Sequence, residues 1–196
     1  MTLAGSFRLP AHDTNDRART VRSLPLSKVY QLLEPGPVVL LTTVRRGRMN
    51  AMAMSWHMMV EFEPPRVACV VSESDFSFAA LRATRQCVIA VPALKLARQV
   101  VQVGNCSGRD VRKFDKVGLT AVPASRVKPP LIAECFANLE CKVIDSRLVS
   151  KFNLFVLEVV AAWIDPRQTK PKTIHHCGYG RFVVDGERIK LKSNMR

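Results

Sequence analysis

The sequence predicts a mainly β fold, a small antiparallel barrel with a few helices packed outside it. Three observations carry this expectation. Extended apolar runs recur at 38–44, 66–72, 87–91, 137–144 and 152–164, with turn chemistry such as Arg45-Arg46-Gly47-Arg48 and Asp185-Gly186 beside them. The intervals between the runs vary too much for a repeated strand–helix–strand unit, which removes a parallel doubly wound sheet.

Taken in order, residues 1–27 are polar, basic and without periodicity, and read as an N-terminal extension; 28–196 read as the domain. Pro35-Gly36-Pro37 ends any short helix over 26–33, because proline lacks the amide donor. The run 38–44, the basic turn and 49–54 form a hairpin. A further strand covers 66–72, and Ser74-Asp75 cap a helix over 76–84, whose Phe76, Ala79, Ala80 and Ala83 share one face. After the strand at 87–91, an amphipathic helix over 94–103 is expected to stop at Gly104 in the left-handed conformation, and 105–110 is polar loop. Strands at 137–144 and 152–164 follow, and a last hairpin over 181–191 turns at Asp185-Gly186.

Composition limits the function classes. A chain of 196 residues suits one domain with a substantial core, and no apolar run approaches the roughly 18–20 residues that cross a membrane. The N-terminus lacks a signal core, so the expected location is the cytoplasm. Cys69, Cys87 and Cys141 fall in apolar strand-like runs and no CxxC pair occurs, which favours buried thiols in a reducing compartment and no metal site. The net charge of +14 attracts anions. It is densest over 95–128 and 166–196, but with no basic recognition helix and no aromatics interleaved a nucleic-acid-binding barrel is the remote alternative, and no nucleic-acid partner is expected.

The segment from Asn50 to Met59 mixes small, polar and aromatic side chains, which a packed core does not need and a planar ligand does. With Asn50-Ala51-x-x-x-Ser55-Trp56, Pro64-Pro65, Val91-Pro92, Gly104-Asn105-x-Ser107-Gly108-Arg109-Asp110-x-x-Lys113-Phe114, Pro130-Leu131-Ile132-x-Glu134-Cys135 and Leu139-Glu140-Cys141 in that order, the chain resembles the flavin reductase and flavoredoxin family of FMN-binding split barrels. The resemblance runs over roughly 37–164. It implies a six-stranded antiparallel split barrel of Greek-key topology, non-covalent FMN, a homodimer whose interface borders the flavin, and oxidoreductase chemistry carried by the cofactor, with NADH or NADPH as donor and a small molecule or protein as electron acceptor. The alternative within the resemblance is a flavoredoxin-like electron carrier or ferric reductase that does not use NAD(P)H directly.

Three sets of residues are expected at the cofactor. By the resemblance, Asn50, Met52, Ser55, Trp56 and His57 run along the flavin ring, against the competing readings that Trp56 and the methionines are core and His57 is structural. Ser72, Ser74, Ser77 and Phe78 lie where a strand meets a helix N-terminus, whose free amides suit a phosphate; simple capping is the plain alternative. Asn105, Cys106, Ser107, Gly108 and Lys113 bring amides, a hydroxyl and an ammonium together, Gly108 allowing close backbone approach. Arg109, Arg112 and Lys116 read as a solvated face. The tail His175-His176-x-Gly178-Tyr179-Gly180-x-Phe182 resembles the family's closing segment and is a candidate lid through His175, His176, Tyr179 and Phe182, with at most one of the adjacent histidines reaching the site. Where many members that use NADH or NADPH carry Gly-Asp-His, this chain has Ser150-Lys151-Phe152-Asn153, without an imidazole. No catalytic side chain is assigned.

Overall fold

The hairpin expected at the basic turn starts the main sheet. In the computed structural model, which describes residues 22–29 and 36–192, β2 (Val39–Arg45) and β3 (Arg48–Met54) pair antiparallel across Arg46 and Gly47. Both turn residues have positive φ, 50° and 75°, the pair of left-handed residues that a two-residue hairpin with right-handed twist requires. The rest of the sheet is β4 (His57–Phe62), β5 (Pro65–Val70), β6 (Gln86–Val91), β9 (Ala137–Asp145) and β10 (Leu154–Ile164), in the order β3-β2-β6-β9-β10-β5-β4, with the two-residue β1 (Arg22–Ser23) also on β10. Short pairs β7 (Ala121–Val122) with β8 (Leu131–Ile132), and β11 (Ile174–His176) with β12 (Phe182–Val184), bring the strands among the described residues to twelve. The expected mainly β class holds; the main sheet, however, has eight strands, and no pairing among the described residues joins β3 to β4.

The strands read as unbroken apolar runs because the sheet is buried on both faces. From β2, Val39 and Leu41 enter one core with Ile89, Leu139, Phe155 and Leu157, whereas Leu40 joins a second core with Ala51, Val100, Val103 and Phe114. The second core seats two helices on the sheet, α2 (Ala97–Gly104) and α3 (Lys113–Val117). On α2 the apolar face is Val100 and Val103, with Leu96 one turn earlier, the i, i+4, i+7 pattern that 3.6 residues per turn produces. Each fully buried Leu, Ile or Phe side chain contributes about 1.5–3 kcal/mol relative to exposure.

On the face of β9 opposite Leu139 and Cys141, level with Val88, Glu140 is fully buried. Its carboxylate accepts from the amides of Ser125, Arg126 and Val127, the Ser125 hydroxyl and the Trp163 indole at 2.8 Å. Burial alone raises its pKa, but these donors outweigh it and hold the group below its ordinary value. The carboxylate therefore ties the 125–127 loop to β9 and β10.

Helix α1 (Phe76–Thr84) matches its expected bounds, and the late strand begins after a single helical turn, α4 (Val149–Phe152), which Asn153 closes at φ 56°. Three expectations are corrected. Gly104 is the last helical residue of α2 and has no positive φ; a Cβ there would meet Ala53 at 3.7 Å, an ordinary contact, so the helix ends there without using the left-handed freedom of glycine. The closing hairpin turns not at Asp185-Gly186 but over 177–181, where Gly178, Tyr179 and Gly180 take positive φ. Asp185 instead returns to Thr173, its amide donating to the Thr173 carbonyl and its carboxylate accepting from the Thr173 amide. Finally Arg22 and Ser23, within the expected extension, pair with Ile164 and Trp163; residues 1–21 and the second half of the expected 26–33 helix lie outside the described residues, beyond a short 3-10 turn over Leu26–Lys28. No helix among the described residues is long and apolar enough to cross a membrane.

Candidate functional site

Two chain segments and one strand enclose a pocket of about 360 Å³ at the end of the sheet. Strand β3 supplies Asn50, Met52 and Ala53; the start of α1 supplies Ser74 to Ser77; the loop after α2 supplies Asn105 to Arg109, and Lys113 opens α3. The pocket exists because β3 ends the sheet beside both loops, so Arg48, Asn50 and Met52, alternate residues of one strand face, point to this side.

Lys113 is the electrostatic centre. It is 5% exposed, and the Val103 carbonyl accepts from its Nζ at 2.8 Å. Desolvation pushes its pKa down, while Cys106 and Asp75 pull the other way. An ammonium has three donors, and the structure gives one an acceptor. Across the pocket α1 begins without a side-chain cap: Asp75 stands at the N-cap, but its Oδ2 accepts from the Ser72 amide at 3.1 Å. The expected capping is thus replaced by a tight turn, and the first amides of α1 keep the partial positive charge of a helix N-terminus. Buried lysine, free amides and the Ser74 and Ser107 hydroxyls form an end suited to an anion.

Below this end the floor is rigid. Ser77 is fully buried and receives hydrogen bonds from Asn50 Nδ2 at 2.9 Å and Thr43 Oγ1 at 3.4 Å. Asn50 is 2% exposed, and its Oδ1 has no donor among the described residues. Gly108 closes over it. A Cβ at Gly108 would lie 2.5 Å from the Phe76 ring and 2.8 Å from Asn50 Cγ, so only glycine allows the loop to pass here.

A second pocket of about 260 Å³ continues from the first through Ala53, Gly104 and Asn105. Its walls are largely apolar, Val38, Met54, Val100 and Phe182 among them, with Ser55 and His176 as polar groups. His176 and Phe182 come from the closing hairpin, their rings 5.3 Å apart. The two pockets together offer an anion-binding end, a polar middle and an apolar end, with a combined size in the range of small-molecule sites, about 300–1,000 Å³.

The structure thus brings Asn50, Met52, Ser77, Asn105, Cys106, Ser107, Gly108 and Lys113 to the first pocket and Ser55, His176 and Phe182 to the second. It places six other expected residues elsewhere. Trp56 is 71% exposed, immediately before β4. His57 is held by Pro37, whose carbonyl accepts from its Nε2 at 2.7 Å, and burial lowers its pKa, so it is a neutral structural group. Phe78 packs edge-on to Phe155 against the interior core. Ser72 supports the turn before α1 through Ser74. Tyr179 is 98% exposed at the hairpin tip, and His175 bonds with Thr173 at 3.1 Å rather than lining a pocket.

Sequence reasoning missed Arg48, Phe76 and the part played by Arg109. Arg48 stacks over the Phe76 ring at 5.1 Å and donates to the carbonyls of Gly108 and, at 3.3 Å, Arg109. Arg109 Nη2 donates to the Ser74 carbonyl at 2.8 Å. The signal for Arg48 was the period of two with Asn50 and Met52. Nothing in the sequence marks the long-range contact of Arg109.

The model of the flavin reductase like domain matches residues 32–182 of this chain. The uncharacterized protein YddH of Escherichia coli (strain K12) is 34% identical over 180 residues, covering 85% of this chain and 95% of its own length. Among solved structures, an FMN-binding domain of a flavin reductases-like enzyme from Shewanella baltica OS155 superposes with a TM-score of 0.84 at 26% identity, over 89% of this chain and 98% of that one. Flavoredoxin of Desulfovibrio vulgaris (Miyazaki F) has a TM-score of 0.73 at 22% identity, over 81% and 91% of the two chains, a likeness of fold.

Proposed function

The chain belongs to the flavin reductase like domain family, and from that premise we propose that it is an FMN-binding oxidoreductase that takes electrons from NADH or NADPH and passes them to a small-molecule or protein acceptor. The observation that carries the reading is Lys113, a nearly buried ammonium with two donors to spare, facing the uncapped start of α1 across a pocket of ligand size. These groups fit a phosphate dianion. Asn50, Met52 and Ala53 offer a polar and flat surface beyond it, and Ser55, Met54 and Phe182 an apolar compartment for a ring system.

Bound FMN supplies the transfer of electrons. The chain's own residues bind and orient. Lys113, the first amides of α1, Ser74 and Ser107 hold the phosphate; Asn50, fixed by Ser77, sets the height of the ligand over β3; His176 and Phe182 close the second compartment against water. No side chain is required as a nucleophile. We extend the proposal to the architecture, six strands (β2, β3, β5, β6, β9 and β10) wrapped as a split barrel, and to a cytoplasmic homodimer. The dimer is supported by β4, at the sheet edge, and the residue before it: Trp56, Met58, Val60 and Phe62 leave 71, 62, 49 and 52% of their surface exposed.

The donor has a rival. Asn153, where an imidazole would stand in many relatives that use nicotinamide, closes α4 with its carbonyl accepting from the Val71 amide, and this favours a carrier that is reduced by another protein. Titration of FMN against the purified protein, followed by quenching of flavin fluorescence, tests the cofactor; absence of quenching at micromolar protein refutes it. Anaerobic mixing with NADH and NADPH separates reductase from carrier, because only the former bleaches the bound flavin.

A further inference from the structure

We propose that Arg109 is a specificity residue that restricts the site to flavins ending in a phosphate monoester and excludes the dinucleotide FAD, an inference that rests on the FMN reading above. The phosphate end of the pocket has two walls, Ser74–Ser77 and Asn105–Arg109, and its inner side is built of deeply buried groups: Ser77, Asn50 and Lys113 at 0, 2 and 5% exposure. On the outer, solvent side the walls are joined. Arg109 Nη2 spans to the Ser74 carbonyl at 2.8 Å, and the Arg109 amide donates to Ser107 Oγ at 3.1 Å.

The strap is braced from behind. Arg48 holds the carbonyls of Gly108 and Arg109 while lying on the Phe76 ring, so the loop carrying Arg109 and the start of α1 are fixed to the same guanidinium. With the rest of the flavin over Asn50 and Met52, a phosphate held between Lys113 and the α1 amides would face the strap on its far side. A monoester carries nothing there. A pyrophosphate must continue outward at that point, through the gap the Arg109–Ser74 hydrogen bond occupies.

The test is a fluorescence titration of FMN and FAD on the full chain and on Arg109→Ala and Arg109→Lys. The wild type is expected to prefer FMN by about 100-fold, the scale on which one shaped contact discriminates. Arg109→Ala should lower the Kd for FAD by about tenfold or more, while Arg109→Lys, which keeps the charge but not the reach of the planar fork, falls between. Equal wild-type affinity for the two flavins overturns the strap and leaves the FMN reading intact. So does a ratio that changes in Arg109→Ala only because FMN binds more weakly, which would make Arg109 a plain phosphate contact. Failure of both flavins to bind the wild type overturns the FMN reading and the strap with it.

Discussion

Replacing Lys113 by Met separates a binding role from a structural one by the sign of two measurements. Met keeps the length and apolar stem and removes the ammonium. In the ligand-free protein the ammonium is 5% exposed with one carbonyl acceptor, and desolvation already depresses its pKa. Losing the Val103 bond costs about 1 kcal/mol, and relief from burying a charge offsets it, so the melting temperature without FMN should stay level or rise. Affinity should fall. A hydrogen bond to a charged group contributes about 1.5–3 kcal/mol, which at 1.4 kcal/mol per decade is a Kd for FMN about 10- to 140-fold weaker.

The same group gives a pH signature. A lysine whose folded pKa lies below its unfolded value binds fewer protons folded than unfolded between the two, so the stability of the ligand-free protein rises with pH through that interval, up to the ordinary value of 10.5. Phosphate binding restores the charge, so FMN affinity should weaken as pH climbs through the Lys113 pKa of the free protein. Both trends should vanish in Lys113→Met. Differential scanning fluorimetry and fluorescence titration across pH measure them. If the variant binds FMN within about threefold of wild type, or loses stability and affinity together, Lys113 is not the anion receptor.

Gly108→Ala should abolish measurable FMN quenching while leaving the far-ultraviolet circular dichroism unchanged, because the added methyl displaces the loop from Asn50 and Phe76 at an overpacking cost of about 1–3 kcal/mol. Glu140→Leu strands the buried Val127 amide and the Trp163 indole, and should cost on the order of 3 kcal/mol, or about 6–12 °C in Tm for a chain of this size, by thermal melting. Since the folded Glu140 pKa lies below its unfolded value, its contribution is present above the unfolded pKa and is lost as pH falls through the folded one; the wild type should show this acid loss of Tm and Glu140→Leu should lack that part of it. Light scattering should give about twice the 21.9 kDa chain mass, and Met58→Asp should shift it toward the monomer.

The strands and α1 were legible because their signals are local: β-branched runs, two residues of positive φ at Arg46-Gly47, and a polar step into an apolar helix face. Gly104 and Asp185-Gly186 misled for one reason. Both were read by what a glycine backbone can do, whereas α2 ends at Gly104 without a positive φ and Asp185 is used for its carboxylate against Thr173. The pocket was legible where motif residues cluster along the chain, Asn105 to Lys113 above all. Trp56 and His57, adjacent to Ser55 in the motif, left it because β4 begins immediately and carries them to the sheet edge. Arg109 could not be read, since its acceptor lies 35 residues away.

Strand β4 has a consequence for how two copies can meet. Its outer edge pairs with no strand among the described residues, a geometry that ordinarily invites another chain to add itself by backbone hydrogen bonds. The pairing with β5 slips between Met59 and Glu61, so Val60 is an extra residue that twists the edge, and the Glu61 carboxylate caps the Phe62 amide at 2.8 Å. Lateral growth of the sheet is thereby obstructed at its centre. The broad side of β4, where Met58 and Val60 are exposed, is what remains for the proposed dimer, and a two-fold contact there would close after two copies instead of propagating into a fibre.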